Sequence, residues 1–225
     1  MTVRILIVTA VAAEADSVAR GLRHDGPHPD ADVLVGGVGP AAAAAATATA
    51  LARAATPYGL VVSAGIAGGF QPLAPLGSVV VSDTIVSADL GAQTPDGYLT
   101  VEELGFGRST HPVAPELVRR ISDALARGER RHTVAPVLTV STVTGTAERA
   151  AELAARHPGA AAEAMEGFGV AEAAAAHGVP VVEIRAVSNA VGPRDRAAWR
   201  IGEALESLRH TFQLLKPTVF AEPAP

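Results

Sequence analysis

Short β-branched runs alternate with longer alanine-rich stretches as far as Leu215, and that alternation limits the chain to few architectures. Runs such as Arg4–Thr9 and Leu60–Ser63 are apolar at nearly every position, as strands are when both faces of a sheet are covered. Strands of that kind need helices on their flanks, so the chain is expected to be an α/β protein with a mostly buried sheet. Strands are expected at Arg4–Thr9, Val33–Gly36, Leu60–Ser63, Gly77–Val86, Val134–Ser141 and Val179–Val187. Helices are expected at Ala12–Gly21, Pro40–Ala55, Ala114–Arg127, Ala147–Arg156, Gly167–His177 and Arg196–Leu215. Pro40 opens one helix, His177-Gly178-Val179-Pro180 closes another, and Pro217 stops the last. Leu90–Pro112, punctuated by Gly91, Pro95-Asp96-Gly97, Gly105 and Gly107, reads as an irregular loop of the kind that forms lids or binding elements. With no linker and no internal repeat, residues 1–225 are expected to form a single domain, with 219–225 as a loose tail.

Composition narrows the partners. A net charge of −5 with no basic block argues against duplex nucleic acid. Without cysteine, disulfide frameworks, thiolate zinc sites and cysteine nucleophiles are excluded. The longest apolar stretch, Ala41–Ala55, contains Thr47, Thr49 and Arg53 and falls short of the ~20 apolar residues of a membrane span. Val3–Thr9 is soon followed by Glu14 and Asp16, so it reads as a first strand rather than a signal sequence, and the expected location is the cytoplasm.

Two glycine-rich segments invite a ligand. Gly37-Val38-Gly39-Pro40-Ala41-Ala42 has the spacing of a dinucleotide-binding turn, which needs an acid ~20 residues later for the ribose. No Asp or Glu occurs from Val33 to Ser82, so a tight strand-to-helix turn is the better reading. Ser63-Ala64-Gly65-Ile66-Ala67-Gly68-Gly69-Phe70 reads as a second tight turn whose backbone could approach a ligand. No Lys or Arg lies between Arg53 and Arg108, which favours a neutral or sugar-like ligand there over a phosphate.

The histidines give no metal site: His24 and His28 are separated by Gly26-Pro27, and the other five are isolated. Carboxylates are more informative. Glu14 follows the C-terminal end of the first strand, where open α/β sheets place ligands, and Glu166 sits among Ala, Met, Gly and Phe at a helix entry. Acids at helix starts also serve the helix dipole alone, and that reading stays open for both. Arg185-Ala186-Val187-Ser188-Asn189 ends an apolar strand on two uncharged polar groups.

In order and spacing, these segments resemble the nucleoside phosphorylase and nucleosidase superfamily, and within it the futalosine hydrolase branch. The resemblance is carried by Ala10-Val11-Ala12-Ala13-Glu14, Ser63–Gly69, Ala164-Met165-Glu166-Gly167, Arg185–Asn189 and Pro193–Ile201. It implies a three-layer α/β/α sandwich around a mixed, partly barrel-like sheet, and cleavage of a purine nucleoside's N-glycosidic bond through an oxocarbenium-like transition state. Glu14 then matches the general base that activates water. Glu166 matches the acid that grips the ribose hydroxyls, with Met165 against the sugar. Ala64, Gly65, Ile66, Val143 and Phe168 fall beside the substrate by position.

Asn189 departs from the aspartate of the adenine-releasing relatives. An amide cannot give up a proton, but it can donate to N7 or O6, which suits a 6-oxopurine such as hypoxanthine. The early loops lack the arginines that bind phosphate in phosphorylases, so water is the expected nucleophile. Ile66 stands where the methylthioadenosine-type nucleosidases carry serine. The benzoate arm of futalosine needs an apolar wall and a cation, for which Trp199 and Arg194 are candidates, with Arg196 and Arg200 as alternatives. The resemblance implies no cofactor and no metal, a small-molecule purine nucleoside as substrate, a homo-oligomer, and a place in menaquinone biosynthesis. Two other readings stay open: a methylthioadenosine-type nucleosidase or phosphorylase, and a non-catalytic nucleoside-binding module.

Overall fold

The computed structural model describes residues 4–23 and 30–220. His24 and His28, and the tail beyond Phe220, lie outside the described residues. The chain runs β1 (Ile5–Thr9), α1 (Ala12–Arg23), β2 (Ala31–Val35), α2 (Pro40–Arg53), β3 (Leu60–Gly69) and β4 (Val79–Ser87). It continues through β5 (Gly91–Thr94), β6 (Gly97–Thr100), β7 (Thr110–Pro112), α3 (Pro115–Arg127) and β8 (His132–Thr139). Then come α4 (Ala147–Arg156), β9 (Ala162–Ala164), α5 (Gly167–Ala176), β10 (Val181–Ala190) and α6 (Ile201–Leu215).

Burial follows strand periodicity. In β1, Ile5 and Ile7 enter one core with Val18, Leu22 and Phe212, while Leu6 and Val8 enter another with Ala43, Val170 and Ala174. Successive side chains of a strand point to opposite faces, so an unbroken apolar run specifies a sheet covered on both sides. On α6, Ala204, Leu208, Thr211, Phe212 and Leu215 form a buried stripe at helical spacing. It packs across α1 at Gly21, where an added Cβ would collide with the Arg209 carbonyl.

The large sheet is mixed, in the order β10-β4-β8-β9-β3-β1-β2, with β7 on β4. A further β3–β10 pairing closes β3, β10, β4, β8 and β9 into a ring. β3 is the joint: Leu60–Ser63 pair with β1, Gly68 and Gly69 with β9, and Val61–Gly69 with β10. The expected mixed, partly barrel-like sheet with helices on both sides is therefore present.

Four local expectations are corrected. Ser63–Gly69 is a continuation of β3 rather than a turn, because β10 pairs with it in parallel to its last residue. Leu90–Pro112 is not irregular throughout: β5 and β6 form a hairpin and β7 joins β4. The last helix is interrupted, with a 3-10 turn at Arg196–Ala198, then Trp199 and Arg200, then α6. The loose tail does not begin at 219, since Val219 and Phe220 are buried in the core beside Phe212. Among the described residues, no helix is long and apolar enough to cross a membrane.

Candidate active site

α1 orients Glu14. Val18 and Leu22 lie four and eight residues further along the same buried stripe, so packing the helix turns the Glu14 carboxylate inward, where it is 4% exposed. Glu14 Oε2 accepts from the backbone N–H groups of Ala10 (2.9 Å) and Val11 (3.2 Å), and Oε1 accepts from Ile66 N–H (2.8 Å). The first two donors lie in the bend between β1 and α1, where neither ladder nor helix supplies them a partner. The third comes from β3 at the segment read as a turn. A Cβ at Gly65 would lie 2.5 Å from Glu14 Oε1 and 2.6 Å from Arg185 Nη1, so that glycine makes room for the carboxylate rather than for a ligand.

Glu166 ends the segment between β9 and α5. Its Oε1 accepts from Gly39 N–H (3.2 Å), and its Oε2 accepts from Arg185 Nη2 (3.2 Å). The Gly39 contact exists because α2 and α5 cross closely at Gly169, where any Cβ would collide with the Pro40 carbonyl. The Gly37–Ala42 motif is thus the tight turn expected, with φ of +90° at Gly37 and +92° at Gly39. It also holds a site residue in place.

Arg185 lies beneath this floor, fully buried. Its Nε donates to Glu183 (2.7 Å), and its terminal nitrogens reach Glu166, Ser63 Oγ (3.3 Å) and the Ile66 carbonyl (3.4 Å). Burial alone would lower the guanidinium, but Glu183, Glu166 and Glu14 together raise it, so it is the fixed positive charge of the network. Glu183, with no exposed surface and Oε2 without a partner, is pushed up to about 7 by burial despite Arg185.

Above these groups is a cavity of about 240 Å³ lined by Val11, Glu14, Ile66, Gly68, Val143, Glu163, Met165, Glu166, Ser188, Asn189 and Trp199, with Ala10, Ala67 and Ala164. Of the residues singled out in the sequence, Glu14, Ile66, Val143, Met165, Glu166, Asn189 and Trp199 meet here. Gly65 stands behind the wall, at the Glu14 carboxylate, and Ala64 is buried in the hydrophobic core instead. Phe168 is not brought in: its ring packs against His111 with centroids 5.2 Å apart and borders a separate hollow with Leu90, Phe106 and Arg108. Arg194 does not line the cavity either, but its guanidinium carbon sits 5.5 Å from the Trp199 ring centre, and that of Arg196 5.9 Å. Arg200 N–H donates to the Ser188 carbonyl at 2.7 Å, which fixes Trp199 beside the end of β10.

Asn189 is held by its neighbours. Its Oδ1 accepts from Ser188 Oγ (2.8 Å) and its Nδ2 donates to the Ala190 carbonyl (2.9 Å), which leaves one N–H of the amide uncommitted to these bonds. Sequence reasoning missed Arg185, Glu183 and Glu163 as members of the site. The signals were present: acids and an arginine inside otherwise apolar strands, where an unpaired charge would be costly. No group of His, Cys, Asp or Glu among the described residues could hold a metal ion.

Residues 31–215 match the phosphorylase superfamily. Over 96% of its length the chain is 59% identical to a futalosine hydrolase from Streptomyces coelicolor, covering 96% of that protein. It is 49% identical to a futalosine hydrolase from Acidothermus cellulolyticus, covering 96% of this chain and 91% of the relative. Among solved structures, an S-adenosylhomocysteine nucleosidase from Streptococcus pyogenes in complex with 5-methylthiotubericidin superposes with a TM-score of 0.80 at 19% identity, covering 96% of this chain and 97% of that one. The fold of that nucleosidase is the fold described above, and the identity to the two bacterial relatives is far higher. The chain belongs to the futalosine hydrolase family of the phosphorylase superfamily.

Proposed function

We propose that this protein hydrolyses the N-glycosidic bond of futalosine, releasing hypoxanthine and the dehypoxanthinyl sugar product in menaquinone biosynthesis. One observation carries the mechanism: a buried Glu14 carboxylate, fixed by three backbone N–H groups, faces an apolar cavity shared with Glu166 and Asn189. Glu14 takes a proton from water as the water adds to the anomeric carbon, a general-base role. Glu166, oriented by Arg185 and Gly39, accepts hydrogen bonds from the ribose hydroxyls, with Met165 against the sugar. The carboxylates around the cavity oppose the positive charge that builds on the ring, so they bind the transition state better than the substrate.

Asn189 offers its uncommitted N–H to the leaving base. Negative charge on departing hypoxanthine spreads onto O6 and N7, and a hydrogen bond there stabilises it until the anion takes a proton from solvent, to which Glu14 gives up the one it took from water. Water is favoured over phosphate because, among the described residues, no basic side chain lines the cavity, and Arg185 below it is already engaged with Glu183 and Glu166. Trp199 supplies the apolar wall for the benzoate arm, and Arg194 beside it the cation. Turnover of an arm-less hypoxanthine nucleoside with the same KM as futalosine would contradict that assignment.

The same reading includes a cytoplasmic setting and a homo-oligomer in which the 90–112 segment faces a neighbour, for which the 81% exposure of Phe106 is the support. Sedimentation that finds only monomer at assay concentrations would remove the oligomer from the account. The test of the catalytic assignment is Glu14→Gln. It should lower kcat by about 10²- to 10⁴-fold, the usual worth of a general base, while hypoxanthine binding stays within a few-fold. Near-normal turnover in the variant would contradict the proposed base.

A further inference from the structure

Among the described residues, Glu163 is the one carboxylate lining the cavity to which the reaction above gives no task. It sits at the centre of β9 between Ala162 and Ala164 and is 5% exposed. Its hydrogen-bond partners both belong to Thr144: the backbone N–H donates to Oε1 (2.9 Å) and the hydroxyl donates to Oε2. These two bonds occupy half of the roughly four lone-pair positions of an ionised carboxylate, and the cavity lies beside the rest. Burial raises the Glu163 carboxyl above its ordinary value and Thr144 opposes that, so a further N–H donor would favour the ionised form.

The register of the sheet places Glu163 opposite Asn189. Glu163 pairs with Gly68 across the β9–β3 ladder, and Gly68 pairs with Asn189 across the β3–β10 ladder. Two strand spacings separate the outer residues, about 10 Å between their Cα atoms, which accommodates a planar base with a hydrogen bond at each edge. Gly68 in the middle leaves a bare strip of floor, and a Cβ there would lie 3.3 Å from Asn189 Nδ2 and 2.9 Å from Val191.

Resting on the hypoxanthine reading above, we propose that Glu163 is a specificity residue that accepts a hydrogen bond from N1–H of a 6-oxopurine lying over Gly68, opposite Asn189. A 6-oxopurine carries a hydrogen on N1, whereas N1 of adenine is a lone pair. In the same pose adenine sets that lone pair against a carboxylate oxygen and leaves a buried acceptor unpaired, the arrangement by which a polar pocket rejects an analogue most strongly. Glu163 and Asn189 would thus read the two neighbouring features, N1–H and O6/N7, that distinguish the base from adenine.

The experiment compares hypoxanthine with 1-methylhypoxanthine by titration calorimetry on the wild-type protein, Glu163→Gln and Glu163→Ala, with thermal unfolding to confirm that each variant is folded. A hydrogen bond to a charged group predicts that the wild type prefers hypoxanthine by about 10- to 100-fold. Glu163→Gln should shrink that preference and Glu163→Ala should abolish it, while futalosine KM rises in both. A folded Glu163→Ala that keeps the full preference overturns the proposal, as does a wild type without one. Wild-type protein that releases no hypoxanthine from futalosine overturns the nucleosidase reading itself, which separates the two failures.

Discussion

Arg185 Nη2 stands 3.2 Å from Glu166 Oε2, and both side chains are almost wholly shielded from water. The same guanidinium donates to Glu183 at 2.7 Å, so one buried cation neutralises two carboxylates and fixes the direction of the one that lines the cavity. Removing it strands both acids. Arg185→Met is expected to cost about 3–5 kcal/mol of stability at pH 8, the usual penalty for leaving a buried charge without its partner. Urea unfolding checks this; a loss under 1 kcal/mol would mean that the network is not what holds this floor.

The protonation of Glu183 gives that network a pH dependence. Its carboxyl is raised from 4.5 to about 7 in the fold, chiefly by burial. A folded-state value above the unfolded one means that the stabilising contribution is complete below about pH 4.5 and is lost as pH rises to about 7. Arg185 and Glu166 are the charged groups that act on this carboxyl, and Glu14 acts on Arg185 in turn. Glu183→Gln should flatten the dependence of stability on pH across that window. Melting temperatures at pH 5 and pH 8 whose difference matches the wild type would assign the titration elsewhere.

Gly65→Ala tests the placement of the general base. The new methyl carbon would compete with Glu14 Oε1 and Arg185 Nη1 for the same space. The carboxylate is the nearer of the two obstacles, so it should be displaced from Ile66 N–H. A fall in kcat of at least tenfold with a smaller change in KM is expected in steady-state assays. Unchanged kcat would show that the Glu14 carboxylate tolerates displacement.

Much of this site could be read from the sequence because its residues sit at element boundaries, where single positions carry signal. Glu14 follows a strand end, Glu166 precedes an alanine-rich helix, and Asn189 ends an apolar strand. What escaped was set by pairing at long range. The glycines of Ser63–Gly69 imitate a turn, but β10 holds them in a strand, and only that strand reveals Gly65 as clearance for Glu14. β9 is three residues long and too short for periodicity to show, so Glu163 stayed hidden within a run of alanines. Phe168 lies two residues past Glu166 in sequence, but the first turn of α5 rotates it onto His111, since residues two apart on a helix do not share a face.

Asn189→Asp probes base selection. An aspartic acid at this position can offer a proton to N7, which the amide cannot. Relative kcat/KM for adenine over hypoxanthine nucleosides should therefore rise by at least tenfold, the Ser188 contact remaining available to either side chain. An unchanged ratio would show that Asn189 does not read the base.

Cleavage of futalosine by water in this cavity is open to direct measurement. Purified protein and futalosine, followed by chromatography for hypoxanthine, test it directly in phosphate-free buffer and again with added phosphate. One hypoxanthine per futalosine consumed, at the same rate in both buffers, is the expected result. Absence of hypoxanthine without phosphate, or a sugar phosphate as co-product, would contradict it.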